Sequence, residues 1–212
     1  MNSGLSLALS QLTCSRGGRQ LFEAVSCELG AGQWLYVGGV NGAGKTSLLR
    51  IVCGLSPPDS GSVLYNNTPI ALQKERYWQD LCYLGHHNAL QESLSVEENL
   101  RFAMALSGRR LTTEALQDAL SRMGLAGRAK QLVRHLSQGQ KRRVALTRLA
   151  LSQACLWVLD EPYVAMDDSG IQTLARLIDD HLASGAMAVI TSHQRVDIGA
   201  RAAQHLELHA TA

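Results

Sequence analysis

Apolar residues along this chain fall into three zones with different periods. Up to about residue 70 they form short runs with strand character, at 5–12, 24–29, 33–37 and 62–66, separated by glycine-containing turns. One helix is predicted in this zone from Lys45 to Cys53, stopped by Gly54 and the Pro57-Pro58 pair. Between about residues 74 and 150 the spacing becomes helical, as in Leu94, Val96, Leu100, Ala103 and Met104, then Leu116, Ala119, Leu120 and Met123. A helical lobe is expected there. In the last zone, 155–159 and 186–191 are continuous apolar runs on either side of a helix predicted over 171–182. Strands apolar on both faces, with helices between them, predict a parallel sheet covered on both sides.

The 212 residues match one domain, with 1–73 and 151–212 forming a core and 74–150 an inserted helical subdomain. A formal charge of +2 is too small for a polyanion-binding surface, so nucleic acid is not an expected partner. The short basic run Lys141-Arg142-Arg143 reads as a solvated helix face. The five cysteines are scattered and form no CxxC pair, which points away from a disulfide framework or a zinc site and toward a reducing cytoplasm. No apolar run approaches the roughly 20 residues of a membrane helix, so any membrane-spanning part is expected on another polypeptide.

Chemistry concentrates in a few places. Gly39-Val40-Asn41-Gly42-Ala43-Gly44-Lys45-Thr46 matches GxxxxGK[ST] between a predicted strand and a predicted helix, with Ser47 following in the helix. The glycines free the backbone to bring N–H groups against phosphate oxygens, and the helix adds its positive end. Lys45 supplies a cation for the β- and γ-phosphates of ATP, and Thr46 a hydroxyl for Mg²⁺. The buried run at 155–159 ends in Asp160-Glu161-Pro162, at the edge where open α/β sheets hold ligands. Asp160 suits the metal shell, and Glu161 suits a general base that polarises a water.

A third motif narrows the class. Leu136-Ser137-Gln138-Gly139-Gln140 resembles the LSGGQ signature of ABC-type ATPases and lies between the phosphate loop and Asp160-Glu161, which is that family's order. The resemblance implies a P-loop ABC ATPase fold of the α/β class, with a mostly parallel core sheet, an N-terminal antiparallel β region and an inserted helical subdomain. It also implies a homodimer in which Ser137, Gly139 and Gln140 of one copy close the phosphate site of the other, with Asp167 at the interface and His193 as a switch on the γ-phosphate. Where the family has a metal-proximal Gln, this chain has His86 after Tyr83-Leu84-Gly85, which offers a ring nitrogen to Mg²⁺ or its water. The usual adenine-stacking aromatic is missing, leaving Arg16 to lie over the base by planar stacking or Phe22 to pack nearby.

Over nearly the whole chain, the sequence is similar to ATP-binding subunits of bacterial cytochrome c maturation systems, through NGAGKTSLLR, YLGH, QKRRVALTRL and LDEP. That resemblance implies ATP hydrolysis coupled to a haem-handling export step, on the cytoplasmic face of the inner membrane. The implied partners are a polytopic membrane subunit and haem-handling assembly factors. The alternatives are a soluble ATP-dependent switch module, or the ATPase of another small-substrate transporter, and a co-purifying membrane protein separates the first from transport.

Overall fold

The computed structural model describes residues 4–192, 198 and 203–209. In chain order its elements begin with β1 (Ser6–Arg16), β2 (Arg19–Gly30), β3 (Trp34–Gly39), α1 (Lys45–Val52), β4 (Ser60–Tyr65) and β5 (Thr68–Pro69). They continue with α2 (Lys74–Gln79), β6 (Leu81–Leu84), α3 (Val96–Leu106), α4 (Thr113–Arg122) and α5 (Gln138–Leu151). The last are β7 (Leu156–Asp160), α6 (Asp168–Ala183), β8 (Met187–Thr191) and β9 (Gln204–Leu208).

Four strands make an antiparallel sheet in the order β2-β1-β4-β5. The β1–β2 hairpin turns at Gly17 and Gly18, both with positive φ, as a tight two-residue turn requires. Leu7 and Leu9 of β1 are buried, and so are Leu12 and Cys14, although the two pairs differ in parity. A strict period of two would turn one pair to solvent. The ladder absorbs the mismatch at Gln11, where φ is 49° and the register shifts between Leu9 and Leu12. Gly61 accommodates that bulge, since a Cβ there would stand 2.3 Å from the Gln11 carbonyl oxygen.

The second sheet is parallel throughout, in the order β6-β7-β8-β3-β9. Every position of β7 and β8 is buried, and alternate residues serve two cores. Leu156, Val158, Met187 and Val189 pack with Leu48 and Leu49 of α1 and with the inner face of β1. Trp157, Leu159, Ala188 and Ile190 pack with Leu174 and Ile178 of α6, Leu100 of α3, Leu120 of α4 and Val144 of α5. Each such large side chain contributes about 1.5–3 kcal/mol relative to exposure, which is why the apolar runs dictate the layering.

The helical lobe forms on the expected faces, with Val96, Leu100, Met104, Leu116, Ala119, Leu120 and Met123 buried. α3 starts at a capping box in which Ser95 Oγ accepts from the Glu98 N–H and the Glu98 carboxylate accepts from the Ser95 N–H. Three differences from the sequence expectations have physical causes. β2 begins at Arg19 rather than 24, because an edge strand carries polar residues on its open side. β6 and β9 are the two edges of the parallel sheet, too short or too evenly half-exposed to give an apolar run. β6 also lies within 74–150 yet pairs with β7, so the sheet draws a strand from an interval read as helical.

Candidate functional site

β3 ends at Gly39, where φ is 135° and a Cβ would lie 2.6 Å from the Leu208 carbonyl oxygen of β9, a position that only glycine fills. Gly44 is the N-cap of α1 and brings no side chain to the first-turn N–H groups, and no acid occupies that turn. The start of α1 therefore presents unsatisfied donors and a positive dipole end, which is a receptor for an anion. Beside it opens a pocket of about 470 Å³ lined by Leu21, Val40, Asn41, Gly42, Gly44, Lys45, Thr46, Ser47, His86, Asp160, Glu161 and Val164. Ala43, by contrast, is a core residue, only 1% exposed.

Lys45 Nζ donates to the Gly39 carbonyl oxygen at 2.7 Å and more weakly to that of Val40 at 3.5 Å, which leaves a third ammonium donor for a ligand. Thr46 Oγ1 donates to Asp160 Oδ2 at 2.9 Å, and Thr191 Oγ1 donates to Asp160 Oδ1 at 2.8 Å. Asp160, the last residue of β7, is thus a buried carboxylate held between two hydroxyls. Among the described residues no cluster of three His, Cys, Asp or Glu exists, as an all-protein metal cage would need. The Thr46–Asp160 oxygen pair instead fits a Mg²⁺ ion that takes its other ligands from phosphates and water.

Glu161 has φ 48°, the left-handed region, at a cost of about 1–3 kcal/mol for a residue with a side chain. Both sides of its backbone are pinned. Its N–H donates to Thr191 Oγ1 at 2.9 Å, and its carbonyl oxygen accepts from Arg142 Nη2 at 2.7 Å. Thr191 lies in register with Asp160 across the β7–β8 ladder, so one threonine serves both acids.

The basic run is not a solvated face. α5 is enclosed by α3, α4, α6 and the sheet, so its cations are paired or buried. Lys141 pairs with Glu92, and Arg143 reaches the Asp167 carboxylate, Ser169 Oγ and the Met123 carbonyl oxygen. Arg142 is 4% exposed and donates to the carbonyls of Asp160, Glu161, Pro162 and Gly85 and to Asn88 Oδ1. Burial pushes its pKa below the ordinary arginine value, against the opposing pull of the Asp160 and Glu161 carboxylates.

Ser137 caps α5 in a second capping box, with its Oγ accepting from the Gln140 N–H at 3.2 Å and Gln140 Oε1 accepting from the Ser137 N–H at 3.0 Å. Ser137, Gly139 and Gln140 do not line the pocket of their own chain. Asp167 caps α6 by accepting from the Gly170 N–H at 3.0 Å, and the Arg143 guanidinium holds its carboxyl below the usual carboxylate range. His193 lies outside the described residues. Phe22 is 4% exposed and packs in the core beneath Gly44, so it is not an adenine platform, while Arg16 sits at the surface with Asp59. The reading of single residues missed Arg142, Thr191 and Asn88. The position of Thr191 at the end of an apolar run beside Asp160 was the available signal for one of them.

A glycine-rich loop leading from a parallel strand into a helix, with an acid pair ending the adjacent-but-one strand, defines a P-loop ATPase. The ABC transporter family matches residues 22–164, and the chain belongs to that family. It is 63% identical over 204 residues, 96% of its length and 97% of the relative's, to the "Cytochrome c biogenesis ATP-binding export protein CcmA" of Albidiferax ferrireducens. It is 46% identical to the protein of the same name from Dechloromonas aromatica, over 95% and 99% of the two chains. Among solved structures, a putative ABC transporter ATP-binding protein from Pyrococcus furiosus superposes with a TM-score of 0.84 at 25% identity, over 97% of this chain and all of that one. An ATP-binding cassette solved as a dimer with ADP and Pi shares the fold at 21% identity and a TM-score of 0.75, over 89% and 88% of the two chains.

Proposed function

We propose that this chain is the ATP-hydrolysing subunit of an exporter serving c-type cytochrome biogenesis, acting as a homodimer with a polytopic membrane subunit and haem-handling assembly factors. The observation that carries the reading is Glu161, strained and doubly pinned, in the same pocket as the phosphate loop. The name of the 63% identical relative, an ATP-binding export protein of cytochrome c biogenesis, supports the export step.

The loop N–H groups and Lys45 bind the β- and γ-phosphates of ATP, with residues 39–47 fixing the register of the nucleotide. Thr46 and Asp160 would hold Mg²⁺, which when bound offsets phosphate charge. Glu161 takes a proton from water as the water oxygen bonds to the γ-phosphorus. The bond from that phosphorus to the bridging oxygen breaks, and ADP and phosphate leave. His86 on the pocket rim and His193 are assigned to orient the attacking water and the γ-phosphate. Because Ser137, Gly139 and Gln140 do not line the pocket of their own chain, a second copy placed head to tail supplies them, with Asp167 at the seam.

A separate groove of about 1340 Å³ runs between α2, β6, α3 and the end of α5, with Trp78, Phe102 and Leu106 along it exposed at 48%, 61% and 75%. No helix among the described residues is long and apolar enough to cross a membrane. The groove supports docking of the membrane subunit at the cytoplasmic face of the inner membrane. In this division of labour the core of 1–73 and 151–212 carries ATP, and 74–150 carries the partner surface and the signature.

The test is Glu161→Gln in the assembled complex. ATPase activity should fall at least about 100-fold while ATP binding persists and a dimer stable in MgATP accumulates. Cells relying on the variant should lose haem-stained c-type cytochromes. Undiminished turnover would remove Glu161 from the mechanism, and normal cytochrome staining with an inactive ATPase would remove the cytochrome role.

A further inference from the structure

Arg142 meets three segments at once: the helix α5 on which it sits, the backbone of 160–162, and the loop 85–88 that carries His86. Its Nη2 donates to the carbonyl oxygens of Glu161 at 2.7 Å and Asp160 at 3.3 Å, its Nε to that of Pro162 at 3.1 Å. Its Nη1 reaches Asn88 Oδ1 at 3.1 Å and the Gly85 carbonyl oxygen at 3.5 Å. A guanidinium has five N–H donors, and these five acceptors use them all.

We infer that Arg142 is a positioning residue for hydrolysis, its guanidinium holding Glu161 in the left-handed backbone conformation that places its side chain at the pocket and tying that backbone to the loop of His86. This rests on the reading of Glu161 as the base. Glu161 has two backbone anchors of different kinds. The N–H side is held by Thr191, which is fixed by the β7–β8 ladder and by Asp160. The carbonyl side has no ladder to hold it, because β7 ends at Asp160 and α6 starts only at Asp168, and the backbone offers it a long bond from the Val164 N–H at 3.4 Å against 2.7 Å from Arg142. Three successive carbonyls, of Asp160, Glu161 and Pro162, turn instead to one side chain from another element.

The residue type follows from that task. A lysine radiates its donors from one nitrogen and cannot span three carbonyls and an amide, whereas the planar fork does. A packing role would not need a charge in this position, since an apolar side chain of equal volume avoids the desolvation of a buried guanidinium. The bonds run to buried and half-buried acceptors of two other segments, which makes the side chain a strut rather than a surface ion pair.

The experiment measures steady-state ATPase and equilibrium ATP binding for Arg142→Gln, Arg142→Lys, Asn88→Ala and the Arg142→Gln/Asn88→Ala pair, each as the full chain with its membrane subunit. Arg142→Gln should lower kcat about 10- to 100-fold, as displacement of a catalytic group by roughly 1 Å does, with ATP affinity within about twofold. Arg142→Lys should fall between that variant and the unaltered protein. Asn88→Ala should lower kcat less, and should add little to Arg142→Gln, because both cut the same strut. A normal kcat in Arg142→Gln, or a fall in ATP affinity matching the fall in kcat, overturns the inference. Should Arg142→Gln fail to fold, Asn88→Ala decides alone, and its unchanged kcat overturns the strut. Failure of the base reading is distinct: it shows as an active Glu161→Gln.

Discussion

Two helix tips in this molecule are built from small residues, and they are opposites. The start of α1 has Gly44 as its cap, no side-chain acceptor and no acid in its first turn, so its donors stay open toward the pocket. The start of α5 is closed by the reciprocal Ser137–Gln140 box. An open tip is a standing binding site and contributes little to the stability of the fold, whereas a closed tip stabilises its helix whether or not a ligand comes. The first needs only its own chain. The second uses the Ser137 oxygen as a cap acceptor and leaves its hydroxyl proton for the phosphate contact proposed across the dimer.

The largest expected effect breaks the comparison at its open end. Lys45 adds a cation beside the positive end of α1, offset only by the Gly39 and Val40 carbonyl oxygens, so an anion is the partner that would satisfy the site. Lys45→Ala should therefore lower ATPase activity by at least about 100-fold while the thermal midpoint moves by no more than about 3 °C. Phosphate release and calorimetry check both halves. A midpoint drop larger than that of a Ser137 variant would show that the open tip is a stability element after all.

Next in size is acid, which tests whether the two tips share a scaffold. His181 of α6 stacks on Trp157 of β7 with ring centroids 3.7 Å apart, and its Nε2 lies 3.1 Å from the Met187 carbonyl oxygen of β8. Burial depresses its pKa to about 4, and the hydrogen bond to Met187 only partly opposes this. The unfolded chain takes up the proton near the ordinary value of about 6.5, so stability is complete above that pH and falls as pH drops from about 6.5 to 4. About 2 kcal/mol should be lost across that window once partial exposure is allowed for. β7 and β8 carry Asp160 and Thr191, which face the α1 tip, while Arg142 of α5 grips the end of β7. Variants at either tip should hence show the same acid slope in chemical denaturation, and His181→Gln should flatten it. Different slopes for the two tips would mean separate scaffolds.

What could be read from the sequence was what depends on short-range spacing. The phosphate loop, the acid pair at the end of a buried run and the signature are each contiguous, and their order along the chain is enough to define the class. Arg142 was misread because its environment is set by distant segments. The same three basic residues on a helix with one open face would be solvated, and α5 has no such face. Phe22 was likewise offered to the adenine because its neighbour Gly44, 22 positions later, is invisible to local pattern. The edge strands β6 and β9 were missed for other reasons: β6 is apolar but only four residues long, and β9 is half-exposed with too little apolar signal.

The smallest expected effect acts at the closed tip and decides whether the box has the double duty assigned to it. Ser137→Ala removes the acceptor of the Gln140 N–H, while the bond from the backbone N–H of residue 137 to Gln140 Oε1 can persist, so half of the box is lost. Loss of such a cap costs about 1 kcal/mol, which for a chain of this size lowers the thermal midpoint by roughly 2–4 °C. Ser137→Asp should keep the cap, because a carboxylate accepts from the same N–H and favours a helix start, and should hold the midpoint at or above that of the unaltered chain. It cannot donate to a phosphate, however, and it sets a negative charge against one. The two variants therefore separate the duties: both should lose ATPase activity in the dimer, while only Ser137→Ala loses stability. If Ser137→Asp hydrolyses ATP normally, the hydroxyl of the α5 tip serves its own helix and nothing else.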